Sequence, residues 1–280
     1  MKVAIIGAGT IGTQLALRCS SHGCATTLIA RDPVRAAAAL DAASRESGLP
    51  ATDIAVGSAL SDAAGADVIA EAIPEELEAK RALYRQLETI VGAHVPIASG
   101  TSSFVPDALG VGLAAPGRVI VAHMVHPVTV VPIVELIAPT GVDAAALASV
   151  EAWLARLRMR PVRLRAPITG FIVNRLQFAL VREAARLVEA GIVDAADVDA
   201  VVECALGPRW AATGPLASVD LGGRRTFAAV ARSVVPDLDA RASIPLLEVD
   251  DAPLREWDNG TLERARARRR RVYDAIENAR

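Results

Sequence analysis

Three glycines near the N-terminus carry the first chemistry. Met1–Gly12 reads MKVAIIGAGTIG, with Gly7, Gly9 and Gly12 in G-x-G-x-x-G spacing. A pyrophosphate needs backbone N–H groups to bind and no side chain in its way. Gly7 suits a tight turn, Gly9 lets the backbone approach the phosphates, and Gly12 lets a helix pack close on a strand. Thr10 and Ile11 open that helix, and their amides, at the positive end of its dipole, would face the anion. The spacing predicts a dinucleotide site. The residue about 20 positions past the glycines should then read the ribose, with a carboxylate selecting the 2′-hydroxyl of NAD. Here the apolar run ends at Ala30 and Arg31 follows. Arg31, with Arg35 four residues on, favours a 2′-phosphate, and its guanidinium can stack on adenine. Asp32, before Pro33, reads as a helix N-cap; its other available role is to bind the ribose. The expectation is NADP(H) in preference to NAD(H).

Such residues need strands that stop and helices that start at the right places. Lys2–Ile6 is a short β-branched run, followed by a helix-like stretch from Thr10 to Ser20. Further strands are predicted at Cys24–Ala30, Asp53–Gly57, Ala66–Ala70, Pro96–Ala98, Val119–Ala122, Ile133–Ile137 and Arg160–Leu164. Helices are predicted over 34–48, Glu76–Val91 and Val142–Leu157, and a turn or helix at Ser61–Gly65. Alternating strands and helices predict an α/β fold with a parallel, doubly wound, Rossmann-like sheet. Ligands of such sheets bind outside the strand C-termini. Glu75, Ser102 and His123 lie at or just past such ends. From Thr169 the pattern turns helical, with Asn174–Ala190, Asp194–Leu206 and an arginine-dense Thr261–Ala279. The prediction is a dinucleotide-binding domain over 1–166 and a smaller all-helical domain over 167–280.

Composition removes several function classes. The 280 residues carry a formal net charge of −2, which gives no electrostatic case for nucleic acid or an anionic membrane. Arg264, Arg266 and Arg268–Arg271 are interleaved or flanked by Glu263, Asp274 and Glu277, so this run reads as a solvated, ion-paired helix face. No stretch of about 18 uncharged apolar residues exists, so no transmembrane helix is expected. The glycine pattern occupies the place where a signal peptide would be cleaved, so the N-terminus reads as mature structure. Cys19, Cys24 and Cys204 lack metal-ligand spacing. An odd, scattered set suits a reducing cytoplasm and buried thiols. His22 and His94 fall in loops.

Five motifs occur in order: GAGTIG, EAIPEELEAK (Glu71–Lys80), SGTSS (Ser99–Ser103), HMVHPVTVVPIVE (His123–Glu135) and GFIVNRLQFALVREAARLVEAGI (Gly170–Ile192). The series resembles the 3-hydroxyacyl-CoA dehydrogenase family over residues 1 to about 222. Within it, Pro132 before Ile-Val-Glu and LGPRWAATGPL (Leu206–Leu216) resemble the branch of L-gulonate 3-dehydrogenase, lambda-crystallin and L-carnitine dehydrogenase. The resemblance implies hydride transfer between a nicotinamide and a secondary alcohol, which needs a base for the hydroxyl proton. By resemblance His123 is that acid/base. Glu135, twelve residues on, is its partner, fixing the tautomer and stabilising the imidazolium. Ser102 and Asn174 resemble the groups that hold the reacting oxygen. Glu75 and Lys80, with Ser102 nearby, resemble cofactor contacts beneath the nicotinamide half. The family's helical domains pair, which implies a homodimer.

Two departures and two additions bear on the substrate. Gly100 stands where the family usually has asparagine, and so does His126, three residues after His123. His126 is thus both a candidate substrate contact and a second candidate base. The stretch from Ala30 to Asp67 is short where acyl-CoA members look longer. Arg209 can bind a carboxylate through two parallel hydrogen bonds, and Trp210 offers a flat apolar or cation–π wall. These features predict a small free 3-hydroxy acid. Alternatives are a 3-hydroxyacyl-CoA dehydrogenase, an imine or β-amino-acid oxidoreductase, and a crystallin-like protein that binds cofactor without turnover.

Overall fold

Alternate residues of β1 (Lys2–Ile6) enter two different cores. Val3 and Ile5 join one apolar cluster and Ala4 and Ile6 the other. A strand buried on both faces must be apolar throughout, and parallel sheets have such strands. This computed structural model describes residues 1–247 and 260–278, and the chain divides into two compact units, Met1–Val173 and Asn174–Arg280.

The first unit carries an eight-stranded sheet in the order β3-β2-β1-β4-β5-β6-β7-β8. Its strands after β1 are β2 (Ala25–Ile29), β3 (Ile54–Gly57), β4 (Val68–Glu71), β5 (Ile97–Ser99), β6 (Val119–Met124), β7 (Ile133–Ile137) and β8 (Arg160–Arg163). Helices α1 (Thr10–Ser21), α2 (Pro33–Ser47), α3 (Leu77–Glu88), α4 (Pro106–Leu109) and α5 (Ala144–Arg156) connect them. Leu15 and Leu17 of α1 and Val150 and Trp153 of α5 belong to one cluster, and Leu83, Tyr84 and Leu87 of α3 belong to the other. Each large side chain so buried contributes about 1.5–3 kcal/mol. The order reverses between β1 and β4, which opens the crevice where such sheets take ligands.

The sheet is not parallel throughout, as the alternation of strands and helices had suggested. The first six strands in the order are parallel, but β7 runs antiparallel to β6, and β8 is parallel to β7. The β6–β7 connection, 125–132, is too short for a crossover helix, so the chain must turn back. The predicted elements otherwise appear with ends shifted by a few residues. His123 lies within β6 rather than past its end.

The second unit is helical. It comprises α6 (Val173–Glu189), whose first residue closes the first unit, α7 (Ala195–Val201), α8 (Gly207–Gly222), α9 (Arg224–Val234) and α10 (Thr261–Asn278). Sequence periodicity predicts one helix over Asp194–Leu206, but Val202–Leu206 is π-helical. A bend interrupts α8, where Gly214 has φ +69° ahead of Pro215. Arg241 pairs with Asp239 at 2.7 Å and with Glu189 of α6, tying this segment to the helix. The arginine-rich α10 forms the expected local pair Arg266–Glu263 at 3.0 Å, and Arg268 pairs with Glu203, which was not foreseen, at 2.9 Å. The side chain of Glu277 and the predicted helix end at Ala279 lie outside the described residues. Cys19 and Cys24 are buried as expected, but Cys204 is exposed. Among the described residues no helix is long and apolar enough to cross a membrane, and no cluster of His, Cys, Asp and Glu could hold a metal ion.

Candidate active site

The glycine fingerprint sits at the β1–β4 crevice. Gly7 has φ +112°, and a Cβ there would lie 2.4 Å from the Ala72 carbonyl oxygen beyond β4. A Cβ on Gly12 would lie 1.8 Å from the Gly7 carbonyl oxygen, so only glycine lets α1 start this close to β1. Around Gly9 the space is open, with nothing within 4 Å of a Cβ position. The Thr13 N–H donates to Gly9 O at 3.0 Å and closes the first turn. The amides of Thr10, Ile11 and Gly12 precede it and have no intrahelical acceptor. This open, donor-rich helix start fits a dinucleotide pyrophosphate. Beyond β2, Asp32 caps α2 by accepting from the Arg35 N–H at 3.0 Å, and Arg31 and Arg35 are exposed.

Glu75 ties its loop to the strand end after β5. One oxygen, Oε1, accepts from the Thr101 hydroxyl at 2.5 Å, the Ser103 hydroxyl at 2.6 Å, and the Ser102 and Ser103 amides at 3.0 Å each. The Ser102 hydroxyl lies 3.5 Å from the same atom. Burial works against ionisation of Glu75, but the Ser103 and Thr101 hydroxyls and the Lys80 charge outweigh it, so its carboxyl lies below the ordinary range. Lys80, expected among the cofactor contacts, is enclosed instead. Its ammonium is 1% exposed and meets Glu71 Oε1 at 2.6 Å, the Ile73 carbonyl at 3.3 Å and Glu75 Oε2 at 3.4 Å.

Gly100 has a backbone reason for being glycine. Its N–H donates to the Glu71 carbonyl at 2.8 Å, and a Cβ would lie 2.9 Å from that oxygen. The asparagine usual in the family therefore does not fit this backbone. Gly100→Asn is expected to lose about 1–3 kcal/mol of stability through the forced shift. Chemical denaturation reads this directly, and a variant as stable as the parent would refute the crowding argument.

β6 and β7 set His123 directly opposite Glu135. Their side chains meet at 2.7 Å, Nδ1 to Oε2, with His123 8% and Glu135 1% exposed. A carboxylate only accepts, so Nδ1 carries a proton, and Nε2 has no partner among the described residues. The other Glu135 oxygen accepts the Ile172 N–H at 2.6 Å and the Val173 N–H at 3.0 Å. Phe171, fully buried at φ +49°, tilts its ring against His123 with centroids 5.3 Å apart. His126 points elsewhere. Its Nδ1 lies 3.1 Å from Gln14 Oε1, which also accepts the Val128 N–H at 2.8 Å. Arg18, one turn further along α1, donates to the carbonyls of Val128 at 2.9 Å and Leu157 at 3.1 Å.

The remaining expected site residues belong to helices at or beyond the start of the second unit. Asn174 is the second residue of α6 and is half-buried; Arg209 and Trp210 lie near the start of α8 and are exposed. Sequence reasoning missed Gln14, Arg18, Glu71, Tyr84 and Phe171. Gln14 and Arg18 had a visible signal as polar residues buried in an otherwise apolar helix stripe. Glu71 had one as a carboxylate closing an apolar strand.

Comparison with known proteins gives consistent results. A family model described as "3-hydroxyacyl-CoA dehydrogenase, NAD binding domain" matches residues 2–166, and one described as "3-hydroxyacyl-CoA dehydrogenase, C-terminal domain" matches residues 170–253. The lambda-crystallin homolog of Bos taurus is 36% identical over 235 residues, covering 78% of this chain and 73% of that protein. The L-carnitine dehydrogenase of Oceanobacillus iheyensis is 30% identical over 235 residues, covering 79% and 76%. The solved structure of 5-formyl-3-hydroxy-2-methylpyridine 4-carboxylic acid 5-dehydrogenase, described as an NAD+ dependent dismutase, superposes with a TM-score of 0.86. It is 26% identical, and the match covers 99% of this chain and 97% of that one.

Proposed function

This chain belongs to the 3-hydroxyacyl-CoA dehydrogenase family as an NAD(P)-binding oxidoreductase, and from that premise we propose that it oxidises the secondary alcohol of a small free 3-hydroxy acid, reversibly. The observation that carries the proposal is the buried His123–Glu135 pair, with Nδ1 committed and Nε2 left open. In the oxidative direction Nε2 takes the hydroxyl proton, and Glu135 stabilises the imidazolium. In the reductive direction the same nitrogen returns it. The bound nicotinamide supplies the hydride acceptor or donor. Ser102 and Asn174 hold the reacting oxygen, and the amides of Thr10, Ile11 and Gly12 bind the pyrophosphate. We assign the base to His123 rather than His126, whose Nδ1 faces an amide oxygen that cannot stabilise an imidazolium as a carboxylate does.

Three features support a free acid over a thioester. The link between β2 and β4 holds only α2, the short β3 and a single 3-10 turn, Leu60–Ala63. Arg209 is the group expected to meet a carboxylate, with Trp210 as the apolar wall beside it. Two of the similar proteins are named for unesterified acids, L-carnitine and a pyridine carboxylic acid. The test is reduced-nicotinamide absorbance on a panel of free 3-hydroxy acids, L-gulonate, L-carnitine, β-amino acids and 3-hydroxybutyryl-CoA. Turnover of free acids supports the proposal. Turnover of the thioester alone assigns the chain to acyl-CoA chemistry, and turnover of amines alone to imine chemistry. Cofactor binding with no turnover at all assigns it to the crystallin-like reading.

The cofactor preference proposed is NADP(H). Asp32 is engaged in capping α2, while Arg31 and Arg35 stand exposed after β2. Arg31→Ala is expected to weaken NADPH binding by about 10- to 100-fold, the worth of a hydrogen bond to a charged group, and to weaken NADH binding, which loses only the adenine stacking, much less. Tighter binding of NADH than NADPH by the parent protein would reverse the assignment. We also propose a homodimer through the helical unit. None of the residues of α9 is buried, and Leu176 and Phe178 of α6 are 60% and 50% exposed. Apolar faces this open suit a second copy.

A further inference from the structure

A densely hydrogen-bonded buried carboxylate lies one layer behind the loops named above. Glu71, the last residue of β4, is 1% exposed and accepts four hydrogen bonds. On Oε1 these come from the Ile73 N–H at 2.8 Å and the Lys80 ammonium at 2.6 Å; on Oε2 they come from the Tyr84 hydroxyl at 2.6 Å and the Ser99 hydroxyl at 2.7 Å. A carboxylate has about four lone-pair sites, so none is left and the side chain cannot turn. All of its side-chain donors are themselves buried, Tyr84 and Ser99 at 0% and Lys80 at 1%. They sit on rigid elements: Lys80 and Tyr84 one turn apart on α3, and Ser99 at the end of β5.

Lys80 connects this dry cluster to the wet one. Its ammonium faces Glu71 on one side and Glu75 Oε2, 3.4 Å away, on the other. Glu75 is one-third exposed. Held by Lys80 through one oxygen, it gathers Thr101, Ser102 and Ser103 with the other. We propose that Glu71 is a positioning residue for hydride transfer: through Lys80 it orients Glu75, and Glu75 sets the Ser102 hydroxyl. The inference rests on the roles given above to Ser102 and His123. Stability alone is a weak reason for such a cluster, because a buried ion pair is often replaced by apolar side chains at little or no cost. A fixed geometry is what apolar side chains would not supply.

The test compares Glu71→Gln, Lys80→Met and the double variant by kcat, KM, NADH dissociation constant and melting temperature. Lys80→Met leaves Glu71 three neutral donors but no counter-charge, so it too is expected to lose melting temperature. The kcat is therefore read on folded protein, and the double variant, which buries neither charge, is the control. Lys80→Met is expected to lower kcat at least tenfold with the NADH dissociation constant changed less than threefold. Glu71→Gln is expected to lose both kcat and thermal stability, since it leaves Lys80 without its closest counter-charge. The double variant should regain the melting temperature and not the kcat. Parental kcat in Lys80→Met or in the double variant overturns the proposal. So does a loss confined to NADH affinity, which would make Lys80 a direct cofactor contact. His123→Asn, run alongside, separates the two levels. If it is active, the acid/base assignment is wrong. If it is silent while Lys80→Met turns over normally, only the positioning role is wrong.

Discussion

Glu135→Gln is expected to lower kcat/KM by about 10²- to 10⁴-fold, the range that general acid–base catalysis supplies, while leaving the fold intact. The reason lies in which atoms Glu135 already serves. Its Oε1 accepts two backbone amides, Ile172 at 2.6 Å and Val173 at 3.0 Å. A glutamine in this place must keep its oxygen there, because turning its NH₂ toward two amide donors would leave buried donors unpaired at about 1–3 kcal/mol each. The NH₂ then points at His123 and donates to Nδ1. That moves the imidazole proton to Nε2, and His123 cannot accept a proton from the alcohol. The loss is equal in both directions at kcat/KM, because the variant cannot change the equilibrium of the reaction. The fold survives because the hydrogen-bond count at Glu135 is unchanged. Steady-state kinetics with circular dichroism on the same samples checks both halves. Near-parental turnover in a folded Glu135→Gln protein would remove the pair from the mechanism.

The second large effect concerns Arg209. Arg209→Met keeps an unbranched side chain and removes the fork of donors that a carboxylate would meet. A charge-assisted bond of this kind is worth about 1.5–3 kcal/mol, so kcat/KM for a free 3-hydroxy acid should fall by about 10- to 100-fold. Activity toward the corresponding ester should fall much less, because a neutral ester gains little from the guanidinium. The ratio of the two losses is the informative quantity, as it cancels any general damage to the helical unit. Equal losses on acid and ester would make Arg209 structural. An unchanged KM for the acid would place the carboxylate elsewhere. Within its own unit Arg209 lies on α8, where its carbonyl accepts the Thr213 hydroxyl at 3.0 Å. The helix therefore has a backbone anchor that the substitution leaves alone.

Much of the site was legible because its signals are local. G-x-G-x-x-G reports a steric requirement between residues a few positions apart, and the contacts at Gly7 and Gly12 are of that kind. The capping role of Asp32 follows from its place before Pro33, and the Arg35 amide answers it. Short apolar runs marked the central strands, since burial on both faces leaves no alternation to misread. Lys80 was harder. Its place in the first turns of α3, just after Glu75, says that the two can meet, but not that a third group, Glu71, turns the ammonium inward. Val202–Leu206 was also misjudged, because a π-turn keeps nearly the same apolar spacing as the helix it interrupts.

By itself the sequence determined the nucleotide-binding frame, the two-part division into sheet and helices, and the family. Each depends on composition and spacing within about twenty residues. The tertiary structure alone decided how the chemistry-bearing side chains pair. A twelve-residue gap between His123 and Glu135 becomes a hydrogen bond only because β7 turns back on β6 and sets them in register. The same register puts the second Glu135 oxygen against the Ile172 and Val173 amides, thirty-seven and thirty-eight residues on. Gln14 reaches His126 across 112 positions, and Ser99 reaches Glu71 across 28. Such contacts leave no periodic trace in the chain. They arise when buried polar groups, brought together by packing, must each find a partner in a medium without water.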